Sequence, residues 1–359
     1  MPDSKPPFDF PLCLAPMVGL SHVVLRKVVF DYMPQNKKTI WPTEMLNSRR
    51  IPQERLGQTA ETLLFDGERN LVPQILGNDK EMIQKTIQKM VNEWGDSRET
   101  LSGIDINMGC PVQKALRHNY GVALMGDLNY AAQVVEFAAT ASDKPVSVKL
   151  RAVGSDKSIP ELIHFVTTLR NAGAKWITLH PRTAEQKRRG QADWNQITEL
   201  KKALDIPIIG NGDVQTVADV YSMLETTKCD VVMSGRGLAA RPWMMWQLGH
   251  KMGLKNNETL DQDAKPPMTE YEEGAEYGKA LLKFIKLSQF YFCEKLGHKP
   301  DYAFRKIQFY VRTTHVWLEF GHSLTSEVNR SKTFEELESR VAKFFETPQR
   351  MVSYTELRQ

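Results

Sequence analysis

Cysteine is scarce in this chain: the 359 residues include four, at positions 13, 110, 229 and 293, all far apart in sequence. That spacing excludes a disulfide scaffold and a CxxC zinc or redox pair. HExxH and HxH patterns are also missing, so we expect no metal site. No apolar run approaches the roughly 20 residues of a membrane helix, and the N-terminus lacks the pattern of a signal peptide. We therefore expect a cytoplasmic protein without membrane contact.

A large excess of charge of one sign is absent as well. The 47 Lys and Arg residues against 43 Asp and Glu residues leave a net charge of +4, which permits an anionic partner without requiring one. Apolar residues make up 41% of the chain and charged residues 25%, proportions typical of a folded protein with a sizeable core. The chain length suits one large domain and a smaller one.

Eight short apolar or β-branched runs recur at intervals of about 24 to 42 residues, which leaves room for a helix between neighbours. This alternation predicts a (β/α)8 (TIM) barrel of the α/β class. A doubly wound sheet is the rival, but the first turn reads APMVGL instead of carrying a glycine fingerprint. The predicted strands are residues 12–15, 39–43, 71–76, 103–106, 145–150, 175–179, 206–209 and 230–233.

The segments between the strands have helical periodicity, clearest in residues 79–93, 131–142 and 159–172. Gly173 is placed to end one helix and Asp213 to cap another. After the last predicted strand, residues 254–267 are polar and end in two prolines, which is typical of a linker. Helical periodicity without strand signals follows. We therefore expect a barrel domain over residues 1–253, a linker over 254–267 and a small all-helical domain over 268–359.

In barrels, functional residues stand at the C-terminal ends of the strands. Two of those ends, NGD at 211–213 and SGRG at 234–237, are short, glycine-rich and followed by predicted helices. Glycine lets backbone amides approach an anion, a helix N-terminus favours negative charge, and Arg236 adds a charge-assisted contact. The alternative is that the glycines only turn the chain. Because both loops carry them, we favour a phosphate site.

Lys149 ends an otherwise apolar predicted strand, so it needs an anionic partner. A reduced flavin would supply one, because its ring carries negative charge near N1, and Gln74 is placed to bond the ring edge. The alternatives are an ion pair of Lys149 with a carboxylate and a core amide role for Gln74.

Cys110 lies in a GCP turn at a strand end. A thiol with an ordinary pKa of about 8.5 is mostly protonated at neutral pH, so it can act as a general acid. The alternative is a small buried residue, which is what we expect for the other three cysteines.

Two segments are basic. Residues 182–189 hold four cations against Glu185, and residues 279–312 hold eight against Glu294 and Asp301, interleaved with aromatic residues. A basic helical face beside a barrel mouth would suit a folded RNA. Charged runs also form ordinary solvated helix faces, and the aromatic residues can belong to the core.

Together these motifs resemble the tRNA-dihydrouridine synthases, over about residues 11 to 320. NxGCPxxK followed by a KxR strand and an HxRT strand is specific to that family among barrel flavoproteins. The motifs are APMVGLSH at 15–22, TEM at 43–45, QILGN at 74–78, DINMGCPVQK at 105–114, GVALM at 121–125, VSVKLR at 146–151, LHPRT at 179–183, IIGNGDV at 208–214 and VMSGRG at 232–237.

The resemblance implies an FMN-dependent barrel followed by a helical tRNA-binding domain. NADPH reduces the FMN, hydride passes to C6 of a flipped-out uracil, and Cys110 protonates C5. The residues near the uracil would be Asn107, Lys149, Arg151 and Arg182. The residues that would contact FMN are Pro16, Met17, Val18, Gln74, Lys149, His180, Asn211, Gly212, Asp213, Gly235 and Arg236. We expect a monomer.

Two other functions stay open at this point. One is an FMN barrel oxidoreductase acting on a small pyrimidine or another small molecule, against which the basic helical segment counts. The other is a non-catalytic RNA-binding protein on a retired barrel, against which the presence of Cys110 and Lys149 counts.

Overall fold

The computed structural model describes residues 6–95, 100–153, 158–187 and 189–356. Its eight strands form one parallel sheet in the order β1-β8-β7-β6-β5-β4-β3-β2, the cyclic order of a (β/α)8 barrel, which confirms the predicted architecture. Across the seam between β1 and β2, Phe10 N–H donates to the Lys38 carbonyl at 3.0 Å and Thr39 Oγ1 donates to the Leu12 carbonyl at 2.7 Å. The strands are β1 Leu12–Leu14, β2 Trp41–Asn47, β3 Leu71–Leu76, β4 Ile104–Met108, β5 Val146–Arg151, β6 Ala174–His180, β7 Ile208–Asn211 and β8 Val231–Ser234.

Helices follow the strands around the outside of the barrel, and a further group follows β8. Several begin at capping side chains, as at Asp79, which accepts from the Met82 amide at 2.9 Å. The helices are α1 Val23–Phe30, α2 Lys80–Trp94, α3 Gln113–Arg117, α4 Leu128–Ala141, α5 Ile159–Asn171, α6 Trp194–Ala203, α7 Val217–Thr227, α8 Arg236–Ala240, α9 Met244–Lys251, α10 Glu270–Ser288, α11 Pro300–Thr314, α12 Gly321–Arg330 and α13 Phe334–Glu346.

One capping prediction is wrong. The helix after β7 begins at Thr216, whose side chain and that of Asp219 form a reciprocal capping box. Asp213, the residue expected to cap, lies three residues earlier and bonds elsewhere. Sequence inspection could not separate the two, because Asp and Thr are both good N-cap residues. Gly173, by contrast, follows the end of α5 with a positive φ of 118°, as a helix-ending glycine should.

Six of the strands end later than their apolar runs do. Asn107, Arg151, His180, Asn211 and Ser234 lie inside β4 to β8, whereas the sequence pattern placed them after each strand. A parallel ladder is built from backbone groups, so it continues through polar residues. As a result, these side chains sit on the rigid rim of the barrel rather than on loops.

Alternating strand residues fill the barrel interior. One apolar cluster inside the barrel draws on five strands, β1, β3, β6, β7 and β8. Its nearly inaccessible members include Cys13, Val72, Trp176, Ile209 and Met233. Two positions further along several of these strands, the same inward face carries polar side chains. The barrel therefore has a packed apolar base and a polar mouth at its C-terminal end.

Helices α10 to α13 pack against the barrel rather than standing apart from it. The main apolar core runs continuously through both parts, and the buried His22 ring lies against Phe284 and Phe292 of the helical part. Tyr310 Oη donates to the carbonyl of Ala239 at 2.9 Å, and Trp317 Nε1 donates to Gln215 Oε1 at 2.8 Å. The mouth of the barrel and α11 thus hold a fixed relative position.

The connecting segment 254–267 also makes specific contacts. The Asn256 side chain is buried and accepts from Trp246 Nε1 at 2.7 Å. Asn257 Nδ2 donates to the carbonyl of Phe30, the last residue of α1, and to that of Met33 just beyond it. In the part of the chain that the structure describes, no helix has both the length and the apolar character to cross a membrane.

Candidate active site

A chain of hydrogen bonds runs across the barrel mouth from β5 to the turn that carries Cys110. Ser147 Oγ donates to Asp105 Oδ1 at 2.6 Å, and Gln74 Nε2 donates to Asp105 Oδ2 at 2.7 Å. Asn107 Nδ2 donates to Gln74 Oε1 at 2.7 Å. Asn107 Oδ1 then accepts from the backbone amides of Gly109 and Cys110 at 3.1 and 3.0 Å. The network fixes both amide orientations and holds the cysteine turn in place.

The strand register explains why these residues meet. Gln74 pairs with Asp105, Asp105 with Ser147, and Asn107 with Lys149 on neighbouring strands. Each residue is two positions from another inward-facing one, so all of them point to the same interior face. Gln74 is fully buried, and both its amide nitrogen and its amide oxygen are hydrogen-bonded. This agrees with the alternative interpretation of Gln74 as a core amide. Its contact with a flavin stays a prediction.

Cys110 is 8% exposed, and it packs with Ala115 and Tyr120. Burial raises the pKa of its thiol above the ordinary value, although the amide of Val112 and the cations Arg151 and Lys149 oppose this. The thiol is therefore protonated at neutral pH. A protonated, fixed and nearly buried thiol suits a proton donor better than a thiolate nucleophile.

Lys149 lies on the inward face of β5 and lacks a compensating carboxylate. Its amine has neither a hydrogen bond nor an ion pair within residues 6–95, 100–153, 158–187 and 189–356. Burial, and then the charge of Arg151, lowers its pKa to about 8, although Asp105 acts in the opposite direction. The predicted alternative, an ion pair with a carboxylate, is not formed among these residues. Lys149 is thus a half-buried cation that an anionic ligand would stabilise.

His180 stands at the centre of a group of cations. Burial, and then the charges of Lys149, Arg151, Arg182 and Arg236, hold its pKa well below the ordinary value, so the ring is neutral. Arg182 Nη1 lies 3.2 Å from His180 Nε2. Because Arg is always a donor, this contact assigns the ring proton to Nδ1, which is free to donate to a ligand.

Arg182 and Asp213 form an ion pair beside this histidine. Arg182 Nη2 lies 2.6 Å from Asp213 Oδ1, and Asp213 Oδ2 accepts from the Ala192 amide at 2.6 Å. The Asp213 carboxylate is therefore used to hold Arg182. Arg182 Nε is buried and has no partner in the described part of the chain. This orphan donor and the unpaired Lys149 both point to an anionic or hydrogen-bond-accepting ligand.

Arg151 links two of the loops at the mouth. Its Nε donates to the carbonyl of Gly109 at 2.8 Å, and its Nη1 donates to the carbonyls of Thr183 and Lys187 at 3.2 and 2.9 Å. The cysteine turn and the basic loop after β6 are thereby joined. Of that basic segment, residues 182–189, Arg188 lies outside the described residues.

Close backbone approach shapes the opposite side of the mouth. Gly212 has a φ of +120°, and a side chain there would meet Ala192 at 2.7 Å and the His180 ring at 3.1 Å. Asn211 Nδ2 donates to the Met233 carbonyl at 2.8 Å and so joins β7 to β8. The β8 loop and the β1 loop also meet, because a Cβ on Gly235 would lie 3.1 Å from Met17 Sδ.

The structure brings most of the predicted site residues together. Gln74 and Asn107 belong to one hydrogen-bonded network with the Cys110 turn. Lys149, Arg151 and His180 lie beside it on β5 and β6, and the predicted residues at the ends of β1, β7 and β8 line the other side. Pro16 is half-buried, and Val18, at 60% exposure, lies on the outer surface of the β1 loop.

Sequence reasoning missed Asp105 and Ser147, which anchor the network. Strand alternation could have identified them. Each lies two residues before a predicted site residue on the same strand, so its side chain is on the same face of the sheet. It also missed Glu44, which is buried in the middle of β2 and accepts from the Gly19 amide at 2.7 Å. Glu44 is the middle residue of the TEM motif, so the sequence already pointed to this position.

The fold and the mouth together define a (β/α)8 barrel whose mouth offers a group of cations to an anionic ligand, beside a protonated thiol. The residues fit a phosphorylated flavin, since unpaired Lys149, the Nδ1 proton of His180 and the orphan Arg182 donor would all find acceptors on it. Comparison with known sequences makes the class specific. Residues 13–308 match the family model of dihydrouridine synthase, so the chain belongs to that family and the expected resemblance is confirmed.

Similar curated proteins carry consistent descriptions. A probable tRNA-dihydrouridine synthase 1 of Synechocystis is 32% identical over 66% of this chain and 63% of its own length. A probable tRNA-dihydrouridine synthase of Rhizobium leguminosarum is 32% identical over 64% of this chain and 69% of its own. One of Rickettsia bellii is 32% identical over 67% and 70%. Each alignment thus spans about two thirds of the relative.

Proposed function

We propose that this protein is a flavin-dependent oxidoreductase that reduces a uridine of tRNA to 5,6-dihydrouridine. Membership of the dihydrouridine synthase family supports this, as do the relatives described as tRNA-dihydrouridine synthases. The observation that carries the proposal is the juxtaposition at the barrel mouth. A protonated Cys110 in a fixed turn shares one hydrogen-bonded network with Asn107 and Gln74. Beside them lies the half-buried cation Lys149, which is unpaired among the residues that the structure describes.

FMN is the cofactor that this cation-rich site suits best. Lys149, His180 and Arg182 would hold it, with the glycine loops around Gly212 and Gly235 allowing its close approach. When bound and reduced, FMN supplies the hydride for C6 of the uracil. NADPH as its reductant stays a prediction from the sequence, as do the monomeric state and the cytoplasmic location.

The chain's own residues do the remaining work. Cys110 donates the proton to C5, which is within its capacity because burial keeps the thiol protonated. Asn107 holds the cysteine turn through its Oδ1, and Arg151 joins that turn to the loop after β6. A ligand bound in the mouth would exclude water from the reacting atoms and strengthen these electrostatic contacts.

The helical region 268–359 is proposed to bind the body of the tRNA. Its segment 279–312 carries the charge excess, and α11 adjoins the β1 loop. Some of its aromatic residues, such as Phe284 and Phe292, are core, as the alternative interpretation expected. Others, such as Phe290 and Phe309, are exposed.

The deciding experiment incubates the purified protein with NADPH and tRNA lacking dihydrouridine and maps reduced uridines position by position. A new dihydrouridine that depends on Cys110 supports the proposal. If FMN is bound and reducible but no tRNA position is reduced, a small pyrimidine becomes the substrate to test. A preparation that neither binds FMN nor reduces RNA would contradict the enzymatic proposal.

A further inference from the structure

A second cavity lies outside the cysteine network, between the β1 loop and α11. Its volume is about 290 Å³. Pockets for whole small-molecule ligands usually measure about 300–1,000 Å³, so this one suits a single ring system. Its lining residues are Val18, Gly19, Tyr302, Arg305, Lys306 and Phe309.

The helix geometry and one glycine create this cavity. Tyr302, Arg305 and Phe309 are three or four residues apart on α11, so they share one face of the helix. Opposite them, Gly19 has a φ of +81°, and a Cβ there would lie 2.8 Å from Phe309 Cε1. A glycine is therefore required for the β1 loop to approach the aromatic ring. Val18 and Phe309 remain 60% and 37% exposed at the opening.

The cavity is apolar inside and cationic at its edge. Arg305 is exposed and has no carboxylate partner within the described segments of the chain. Lys306 Nζ lies 3.7 Å from Glu44 Oε1 and 5.7 Å from the centre of the Tyr302 ring. An exposed aromatic ring beside an unpaired guanidinium is the combination that binds a stacked base and its phosphate.

The position of the pocket beside the barrel mouth indicates which nucleotide of the RNA it would bind. Val18 directly follows Met17, whose sulfur lies so near the β8 loop at the barrel mouth that a Cβ on Gly235 would be 3.1 Å from it. A uridine that enters the mouth by flipping leaves its immediate neighbours in the RNA just outside. We propose that this pocket holds one nucleotide adjacent to the reduced uridine, with its base on Phe309 and its phosphate at Arg305. The inference rests on the proposed action on tRNA and adds to it a second, stacking subsite.

The test is a double-mutant cycle on RNA affinity, measured with the full-length, flavin-loaded protein. Phe309→Leu keeps an apolar side chain against Gly19 but removes the ring, whereas Phe309→Tyr keeps the ring. The matched control is Phe320→Leu, which removes another exposed ring of the helical region. Each protein is titrated with intact tRNA and with tRNAs made abasic on the 5′ or the 3′ side of the reduced uridine.

We expect Phe309→Leu to weaken binding of intact tRNA by about 5- to 150-fold, the usual effect of losing one stacked base. The same substitution should have little effect on one of the two abasic tRNAs, while Phe309→Tyr and Phe320→Leu leave affinity within about twofold of wild type. Arg305→Gln should weaken binding and lower its salt dependence by about one phosphate contact.

Two results would contradict the proposed nucleotide subsite. One is that Phe309→Leu lowers the affinity for intact tRNA and for both abasic tRNAs by the same factor. The other is that the substitution changes only the KM of NADPH. Turnover is a separate readout. If the coupling to one neighbouring base is present but no dihydrouridine forms, the proposed reaction fails while the nucleotide subsite stands. If dihydrouridine forms without the coupling, only the subsite fails.

Discussion

At the scale of single residues, burial acts on the charge of the two groups to which we assign the chemistry, the Cys110 thiol and the Lys149 amine. Burial favours the neutral form of any ionisable group. It therefore raises the pKa of the Cys110 thiol and lowers that of the Lys149 amine. The acid is kept protonated, while the cation remains available for an anionic ligand.

Replacing Cys110 with alanine should lower turnover by about 10²- to 10⁴-fold, because a positioned general acid contributes that much. FMN content should stay unchanged, since the substitution leaves Lys149, His180 and Arg182, the groups proposed to hold FMN, in place. Single-turnover reoxidation of the reduced enzyme by tRNA measures the effect. Cys293→Ala, which changes a thiol on the helical region, is the control. Wild-type turnover in the Cys110 variant would remove the acid role.

The lowered pKa of Lys149 leads us to expect that FMN binding depends on pH. The amine is charged below its pKa of about 8 and neutral above it. In protein stripped of cofactor, affinity for FMN should therefore fall as pH rises from 7 to 9.5, with its step near 8. Lys149→Met should bind more weakly at pH 7, without that step. In Asp105→Asn the step should move to lower pH, because the Asp105 charge raises the Lys149 pKa. A step retained in Lys149→Met would show that another group titrates.

At the scale of secondary-structure elements, the turn after β4 depends on its neighbours. Residues Gly121–Gly126 form a 3₁₀ turn that lies against it, and the Val122 amide donates to the Cys110 carbonyl at 3.2 Å. Gly121 has a φ of +59°, and a Cβ there would lie 2.7 Å from the same carbonyl. The position of the Cys110 thiol thus depends on a residue without a side chain.

Gly121→Ala should destabilise the protein by about 1–2 kcal/mol, since it combines left-handed backbone with a steric clash. It should also lower turnover by displacing Cys110, while FMN remains bound. Gly126→Ala is a matched control, because a Cβ there meets nothing within 4 Å. Chemical denaturation and turnover of the two variants give the comparison. Equal behaviour of the two would mean that the turn does not position the thiol.

At the scale of the whole molecule, the barrel and helices α10 to α13 share one apolar core. Besides the apolar contacts, Arg241 Nε lies 2.9 Å from Glu273 Oε2, and Tyr32 Oη donates to Glu276 Oε1 at 2.7 Å. Removal of residues 268–359 would therefore expose a large apolar surface on the barrel. Point substitutions test the helical region more cleanly than truncation does.

The shared core predicts one cooperative unfolding transition for both parts. Tyr310→Phe should lower the free energy of unfolding by about 1–3 kcal/mol, because it leaves the buried Ala239 carbonyl without its donor. The transition should shift as a whole. Tyr354→Phe, at a 68% exposed position, should have no effect. Calorimetry that resolved two transitions, with only one of them shifted by Tyr310→Phe, would contradict the single core.

The sequence predicted the barrel, its eight strands and the residues at their ends, because periodicity and strand-end position are local signals. It placed β2 at residues 39–43, whereas the strand spans Trp41–Asn47, since polar residues such as Glu44 do not interrupt a backbone ladder. It also misassigned Asp213 as a cap. That carboxylate is used by Arg182, a residue 31 positions away that no local pattern could pair with it.

The sequence by itself thus determined the architecture, the family and the identity of most groups at the mouth. Tertiary structure decided which of those groups are charged and which are already paired. Asp105 anchors Gln74, Asn107 holds the Cys110 turn, and Lys149 forms no hydrogen bond or ion pair with any residue that the structure describes. Only the fold could decide this, because hydrogen bonds and desolvation depend on distances between strands that lie far apart in sequence. The pocket between Gly19 and Phe309 has the same origin.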